Sequence, residues 1–178
     1  MTIGIAILLL ASTLAPAAFA DTLALTPSND EGPFFKAGSP ESNNLLQDGM
    51  PGQVITITGQ VQDQNGEPVA NALLDFWQAN ASGAYDNSGY TLRGHQYTDA
   101  NGTYTLTTIV PGLYPGRTEH IHVKVQAPNG PLLTTQLYFP GIARNTRDGL
   151  YNPNLLLNIS DNGDRTLSGT YNFVVATA

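Results

Sequence analysis

Two histidines stand one residue apart in Arg117-Thr118-Glu119-His120-Ile121-His122, with a guanidinium three positions before the first. In an extended strand, residues i and i+2 face the same side, with Cα atoms about 6.6 Å apart. Two imidazoles at that separation can converge on one metal ion, while Ile121 points the other way, toward a core. The same spacing also describes two half-exposed polar side chains on a wet sheet face. Spacing alone does not choose between these.

The rest of the chain limits the chemistry. It contains no Cys, which excludes blue copper and thiolate zinc sites and leaves no disulfides, so stability rests on core packing. The residues after His122 are Val-Lys-Val-Gln, without the Glu that a cupin site needs there. No G-x-S-x-G nucleophile elbow occurs. The oxygen donors placed to join the histidines are tyrosines: Tyr114, six residues before His120 in a Pro/Gly-rich loop, and Tyr85, just after a strand that ends near Trp77. A Tyr normally keeps its proton, with a reference pKa near 10. A hard trivalent cation can displace it, and two imidazoles with two phenolates suit ferric iron. For either Tyr taken alone, packing at a strand end with a wet hydroxyl is the commoner arrangement.

These residues need a rigid frame. "QVITITGQVQ" (53–62) alternates, with Ile55, Ile57 and Val61 on one side, and reads as a strand. "DQNGEP" and "DANG" place Asn-Gly pairs at hairpin turns. "PVANALLDFWQA", "TYTLTTIV", "EHIHVKVQAP", "LLTTQLYFPG" and "TLSGTYNFVV" read as further strands. Seven or so short strands with Gly/Asn/Pro turns and no helical period make an all-β chain, an antiparallel β-sandwich or barrel. Residues 82–95 and 139–165 are the long irregular stretches, and such loops commonly carry a site. "TLALTPSNDEGPFFKAGSPESNNLLQDG" (22–49) lacks a period and reads as an extended arm laid over the domain.

"LTPSNDEGPFF", "LLDFWQANASGAYDNSG", "TIVPGLYPGR" and "RTEHIHVKV" together resemble the intradiol ring-cleavage dioxygenases, from about residue 25 to residue 140. That resemblance implies a non-haem Fe(III) enzyme that uses O2 to open a small aromatic diol between its hydroxyls. It implies Tyr85, Tyr114, His120 and His122 as iron ligands, with Tyr114 leaving the iron when substrate arrives and accepting a substrate proton. It implies Arg117 as a stabiliser of developing negative charge, and Gln136 and Phe34 as cavity-lining contacts to substrate. Only Pro115-Gly116 separates Tyr114 from Arg117, shorter than in many members, which predicts a more open mouth. His95 matches no ligand and is expected at a loop or strand start.

The first 20 residues, apolar and ending Ala18-Phe19-Ala20, read as a signal peptide, although no Lys or Arg precedes the apolar run. The expected organisation is signal peptide 1–20, arm 21–52 and catalytic β-sandwich 53–178, exported to the periplasm or outside the cell. A net charge of −7 with seven scattered basic residues excludes a nucleic-acid partner, and no membrane span is expected beyond the leader. Oligomeric state is not legible. "GQVQDQNGEPVANALLDFW" also looks like prealbumin-type β-sandwich modules, which predict binding without chemistry. A zinc hydrolase built on the same histidines predicts a colourless protein.

Overall fold

The computed structural model describes residues 22–178, so the leader segment lies outside the described residues. The alternation in 53–62 forms strand β1 (Val54–Gln62), with Ile55, Ile57 and Val61 fully buried. It is followed by β2 (Leu73–Gln78), β3 (Arg93–Tyr97), β4 (Thr103–Ile109), β5 (His120–Gln126), β6 (Leu132–Tyr138), β7 (Asn158–Asp161), β8 (Leu167–Thr170) and β9 (Phe173–Val174). Two single turns of 3-10 helix, Ala143–Arg147 and Pro153–Leu155, lie between β6 and β7. β3 begins inside, and β7 lies within, the stretches expected to be irregular; both are short, which hides their period.

The strands form a sandwich. One sheet runs β4-β1-β8-β7 with β9 also on β1; the other runs β3-β2-β5-β6 and is antiparallel throughout. In the first sheet β8 and β9 lie parallel to β1, because the long 139–166 connection brings the chain back in the direction of β1. Between the sheets pack Leu74 and Phe76 of β2, Leu106 of β4, Ile121, Val123 and Val125 of β5, Leu137 of β6 and Phe173, all fully buried. Each such side chain contributes about 1.5–3 kcal/mol. Among the described residues no helix is long and apolar enough to cross a membrane.

The two Asn-Gly turns are corners rather than hairpins. The first joins β1 to β2 and the second β3 to β4, and each connects one sheet to the other. Only Gly66 (φ 82°) and Gly102 (φ 69°) take positive φ there, not the asparagines, so the two-residue turn that would pair adjacent strands does not form. Instead Asp63 and Asp99 each accept two backbone N–H groups and nucleate the bend. The hairpins with short connections are β5–β6, through Pro128-Asn129-Gly130-Pro131, and β7–β8, through residues 162–166.

The outer face of the second sheet positions the site. Cross-strand register puts Arg93, Trp77, His122 and Gln136 in one row, with His120 opposite Tyr138 beside it. Residues 29–39 run over this face, and 40–42 pair along its β3 edge. Asn29 N donates to Thr134 O, Glu31 pairs with Lys124 at 2.6 Å, and Ser42 N donates to His95 O while His95 N donates to Pro40 O. This cover turns a face that would be wet into a buried one.

Candidate metal centre

His120 and His122 leave β5 on the same side, and both are buried, 4% and 2% exposed, not half-exposed. Their Nε2 atoms are 3.1 Å apart. His120 Nδ1 lies 2.6 Å from the Thr118 carbonyl. A carbonyl only accepts, so Nδ1 carries the proton and Nε2 presents a lone pair. Trp77 stacks on the His122 ring at 4.8 Å and 8°. Gly32 of the arm, with φ +67°, closes the other side: a Cβ there would stand 3.4 Å from His122 Cε1. His122 Nδ1 makes no hydrogen bond, although the Asp30 backbone bears on the ring. Burial drives both imidazoles toward the neutral form: His120 is pushed down to about 4 and His122 well below its ordinary value.

Tyr85 joins them from the loop after β2, its Oη 3.3 Å from His120 Nε2. Two turns hold that loop. Asn80 Oδ1 accepts from Ser82 N and Ala84 N; Asp86 accepts from the N–H groups of Ser88, Gly89 and Thr91, and the Gly89 and Thr91 contacts above all hold its carboxyl below the usual range. Gly83 (φ +80°) lies directly against the Leu113 carbonyl, and Gly112 against the Ala81 carbonyl; neither contact leaves room for a Cβ. This backbone-to-backbone packing brings the Tyr85 loop beside the Tyr114 loop. Burial raises the Tyr85 phenol, which Arg117 and Arg93 partly oppose. Without a cation at its oxygen, Tyr85 stays protonated.

Phe34, from the arm, lies flat on Tyr85 at 4.4 Å and 14°. Tyr114 stands edge-on to both Phe34 (5.3 Å) and Tyr85 (5.9 Å); it is half-buried, and its hydroxyl makes no hydrogen bond to the Tyr85–His120–His122 cluster. Three expected donors therefore form one cluster and the fourth sits at its rim.

Arg117 follows Tyr114 on the same loop. It is paired with Asp148, Nε to Oδ2 2.9 Å, and not with neighbouring Glu119. Its Nη2 donates to Gln136 Oε1 at 2.7 Å. Asp148 also accepts from Thr118 N and Leu150 N; burial alone would raise its carboxyl, but these donors and Arg117 outweigh it and leave the carboxyl lowered. Gln136 Nε2 donates to Asp30 O at 2.6 Å, which fixes its orientation from the arm. Tyr138 Oη, pushed up to about 12 by burial, shares its proton between Gln136 Oε1 and Leu150 O.

Asp148, Tyr138 and Arg93 are site components that sequence reading missed. Tyr138 carried a signal, since it alternates with Gln136 on one strand; Asp148, in an irregular stretch, carried none. His95 lies in the middle of β3 rather than at its start, 3.1 Å from Ser39 Oγ, in the row of Asp75 and Lys124 and without contact to the ligand cluster. A surface hollow of about 520 Å³ beside Gly116, Glu119, Arg144 and Arg147 is lined by none of the clustered donors.

The donors fit a metal. Among the described residues no third His and no carboxylate completes a three-ligand group with the histidines, and the side-chain oxygen placed beside them is the Tyr85 phenol. Two ligand nitrogens on adjacent positions of an ion, each at about 2.0–2.1 Å, stand about 3 Å apart, which matches the His120–His122 spacing. Neutral imidazole with phenolate oxygen, and no sulfur, suits a hard cation such as iron.

Residues 30–176 match the family model described as Dioxygenase. The dioxygenase domain of a dioxygenase carbohydrate-binding protein fusion from the cellulolytic bacterium Streptomyces sp. SirexAA-E is 52% identical, with TM-score 0.84, covering 87% of this chain and 100% of that one. The 3-chlorocatechol 1,2-dioxygenase of Rhodococcus opacus 1CP is 31% identical, with TM-score 0.81, covering 86% and 73%. Catechol 1,2-dioxygenase 2 of Acinetobacter lwoffii is 37% identical over 158 residues, 70% of this chain and 58% of that protein. The protocatechuate 3,4-dioxygenase beta chain of Burkholderia cepacia is 38% identical over 119 residues, 56% and 51%. The chain thus spans about half the length of the curated relatives it matches.

Proposed function

Because the chain belongs to the intradiol ring-cleavage dioxygenases, a family of non-haem iron enzymes, we propose that it uses O2 to open a catechol-type ring between the two hydroxyls, giving a muconate-type diacid. Tyr85, Tyr114, His120 and His122 would hold ferric iron. The observation that carries this reading is the buried cluster of Tyr85 Oη, His120 Nε2 and His122 Nε2, spaced 3.3 and 3.1 Å in series. Bound there, ferric iron supplies Lewis-acid activation of the diol and access to O2 chemistry.

The protein's own groups have separable tasks. Burial keeps His120 and His122 neutral and therefore able to ligate. Tyr114, at the rim of the cluster, would take a proton from an incoming diol at its oxygen in the phenolate form that ferric iron would stabilise. Arg117, held by Asp148 and Gln136, has no acceptor for its Nη1 among the described residues and is a preorganised cation for negative charge that develops on the ring. Phe34, flat on Tyr85, forms an apolar wall of the site and excludes water.

Export, followed by cleavage after Ala20, is part of the proposal. It favours extracellular aromatics of plant origin. The similarity to a dioxygenase domain fused to a carbohydrate-binding protein in a cellulolytic bacterium supports that address. N-terminal sequencing of the mature protein should begin at Asp21.

The deciding experiment is aerobic incubation of purified, iron-loaded protein with a catechol panel, following O2 uptake and muconate absorbance. Uptake with at least one diol is expected. An iron-holding protein that consumes no O2 with any diol sinks the enzyme reading in favour of a binding module of prealbumin type.

A further inference from the structure

Arg93 opens β3, is 3% exposed, and forms no ion pair among the described residues. A buried cation without a counter-ion is costly unless its donors are satisfied. Here they go to two backbone carbonyls from distant segments. Nη1 donates to Phe34 O at 2.6 Å; Nε and Nη2 donate to Asp86 O at 3.1 and 3.0 Å. Asp86 directly follows Tyr85, and its carboxylate is turned into its own loop.

We propose that Arg93 is a positioning residue for the Tyr85 side of the metal centre: its rigid fork ties the arm at Phe34 to the loop at Asp86 and so fixes the Phe34–Tyr85 stack. The inference rests on the reading of Tyr85 as an iron ligand. Three relationships support it. Phe34 carries one of the two carbonyls, Tyr85 immediately precedes the residue that carries the other, and their rings stack at 4.4 Å. Arg93 is in register with Trp77, which stacks on His122, so one cross-strand row braces both the imidazole and the phenol of the cluster. A planar guanidinium can span two carbonyls at fixed separation, whereas an ammonium is a point donor on a flexible stem.

The test compares wild type, Arg93→Met and Arg93→Lys. In metal-free protein, hydrogen exchange should quicken at residues 34–36 and 85–91 in Arg93→Met while the β5 and β6 amides stay protected. With ferric iron supplied as its citrate complex, the variant should hold iron about tenfold less tightly and shift its visible tyrosinate band. Arg93→Lys, which retains the charge but not the fork, should fold and show both changes in smaller degree. If Arg93→Met does not fold, the lysine variant alone decides. Wild-type exchange and a wild-type band in the variants would overturn the positioning role. Because the exchange is measured without metal, a wild type that binds no iron would instead refute the ligand reading.

Discussion

Gln136 Oε1 accepts from Arg117 Nη2 at 2.7 Å and from Tyr138 Oη at 2.8 Å, so a β6 side chain sets where the guanidinium of the Tyr114 loop points. Asp148 holds the other edge of that guanidinium. Arg117→Ala should keep its iron and lose about 100- to 1000-fold in kcat. Gln136→Leu, which leaves the Asp148 pair intact, should lose about tenfold. Steady-state kinetics with metal analysis on the same samples separates the outcomes. Unchanged turnover in Arg117→Ala would reduce it to a structural partner of Asp148.

The histidine pair should decide iron occupancy. Neither imidazole has a protein substitute nearby: among the described residues no further His, Asp or Glu completes a three-ligand group with them. His120→Ala and His122→Ala should each abolish stoichiometric iron binding, read by elemental analysis. Tyr85→Phe should remove most of the visible tyrosinate colour. A Tyr85→Phe, Tyr114→Phe double variant that kept full colour and activity would refute the ligand assignment.

Strand period alone makes His120 and His122 co-facial and Ile121 a core residue, because alternation along β5 is local information. Their burial was not legible. It comes from the arm, whose Gly32, Asp30 and Glu31 contacts reach sheet residues about 90 to 106 positions away in sequence. The same holds for Asp148, which reaches Arg117 only through the fold of an aperiodic loop. The Asn-Gly corners misled for a related reason. A turn motif fixes a local bend, but which strands pair afterwards depends on the competing hydrophobic faces of β2, β4 and β5. Resemblance reached Tyr85 and Tyr114, where composition favoured ordinary packing.

Acid should destabilise the metal-free protein through the buried imidazoles. His120 has a folded pKa of about 4 against an ordinary 6.5. The folded state therefore binds fewer protons than the unfolded state between those values, and stability rises with pH across that window. It is fully present above about 6.5 and is lost as pH falls toward 4. The loss is about 3 kcal/mol for one group that stays neutral across the window. Thermal unfolding of iron-free protein between pH 7 and 4.5 should show a falling Tm, and His120→Gln should flatten that slope. An equal slope in the variant would assign the acid sensitivity to other groups, such as Asp148, whose lowered carboxyl acts in the same direction.

The contact between the two tyrosine loops offers a test with an internal control. Gly83 has φ +80° and lies against the Leu113 carbonyl, one residue before Tyr114; Gly163 has a nearly identical φ of +79° with nothing within 4 Å of an added Cβ. Gly163→Ala therefore reports the cost of left-handed backbone alone, about 1–2 kcal/mol. Gly83→Ala adds a steric clash that only loop displacement can relieve, so it should lose a further 1 kcal/mol or more, on the order of an overpacked core site. The displaced loops carry Tyr85 and Tyr114, so Gly83→Ala should also weaken ferric iron binding by about tenfold, while Gly163→Ala leaves it unchanged. Chemical denaturation gives the first difference and chelator competition the second. If both variants lost the same stability and kept the same iron affinity, the Gly83–Leu113 contact would have no part in bringing the two phenols together.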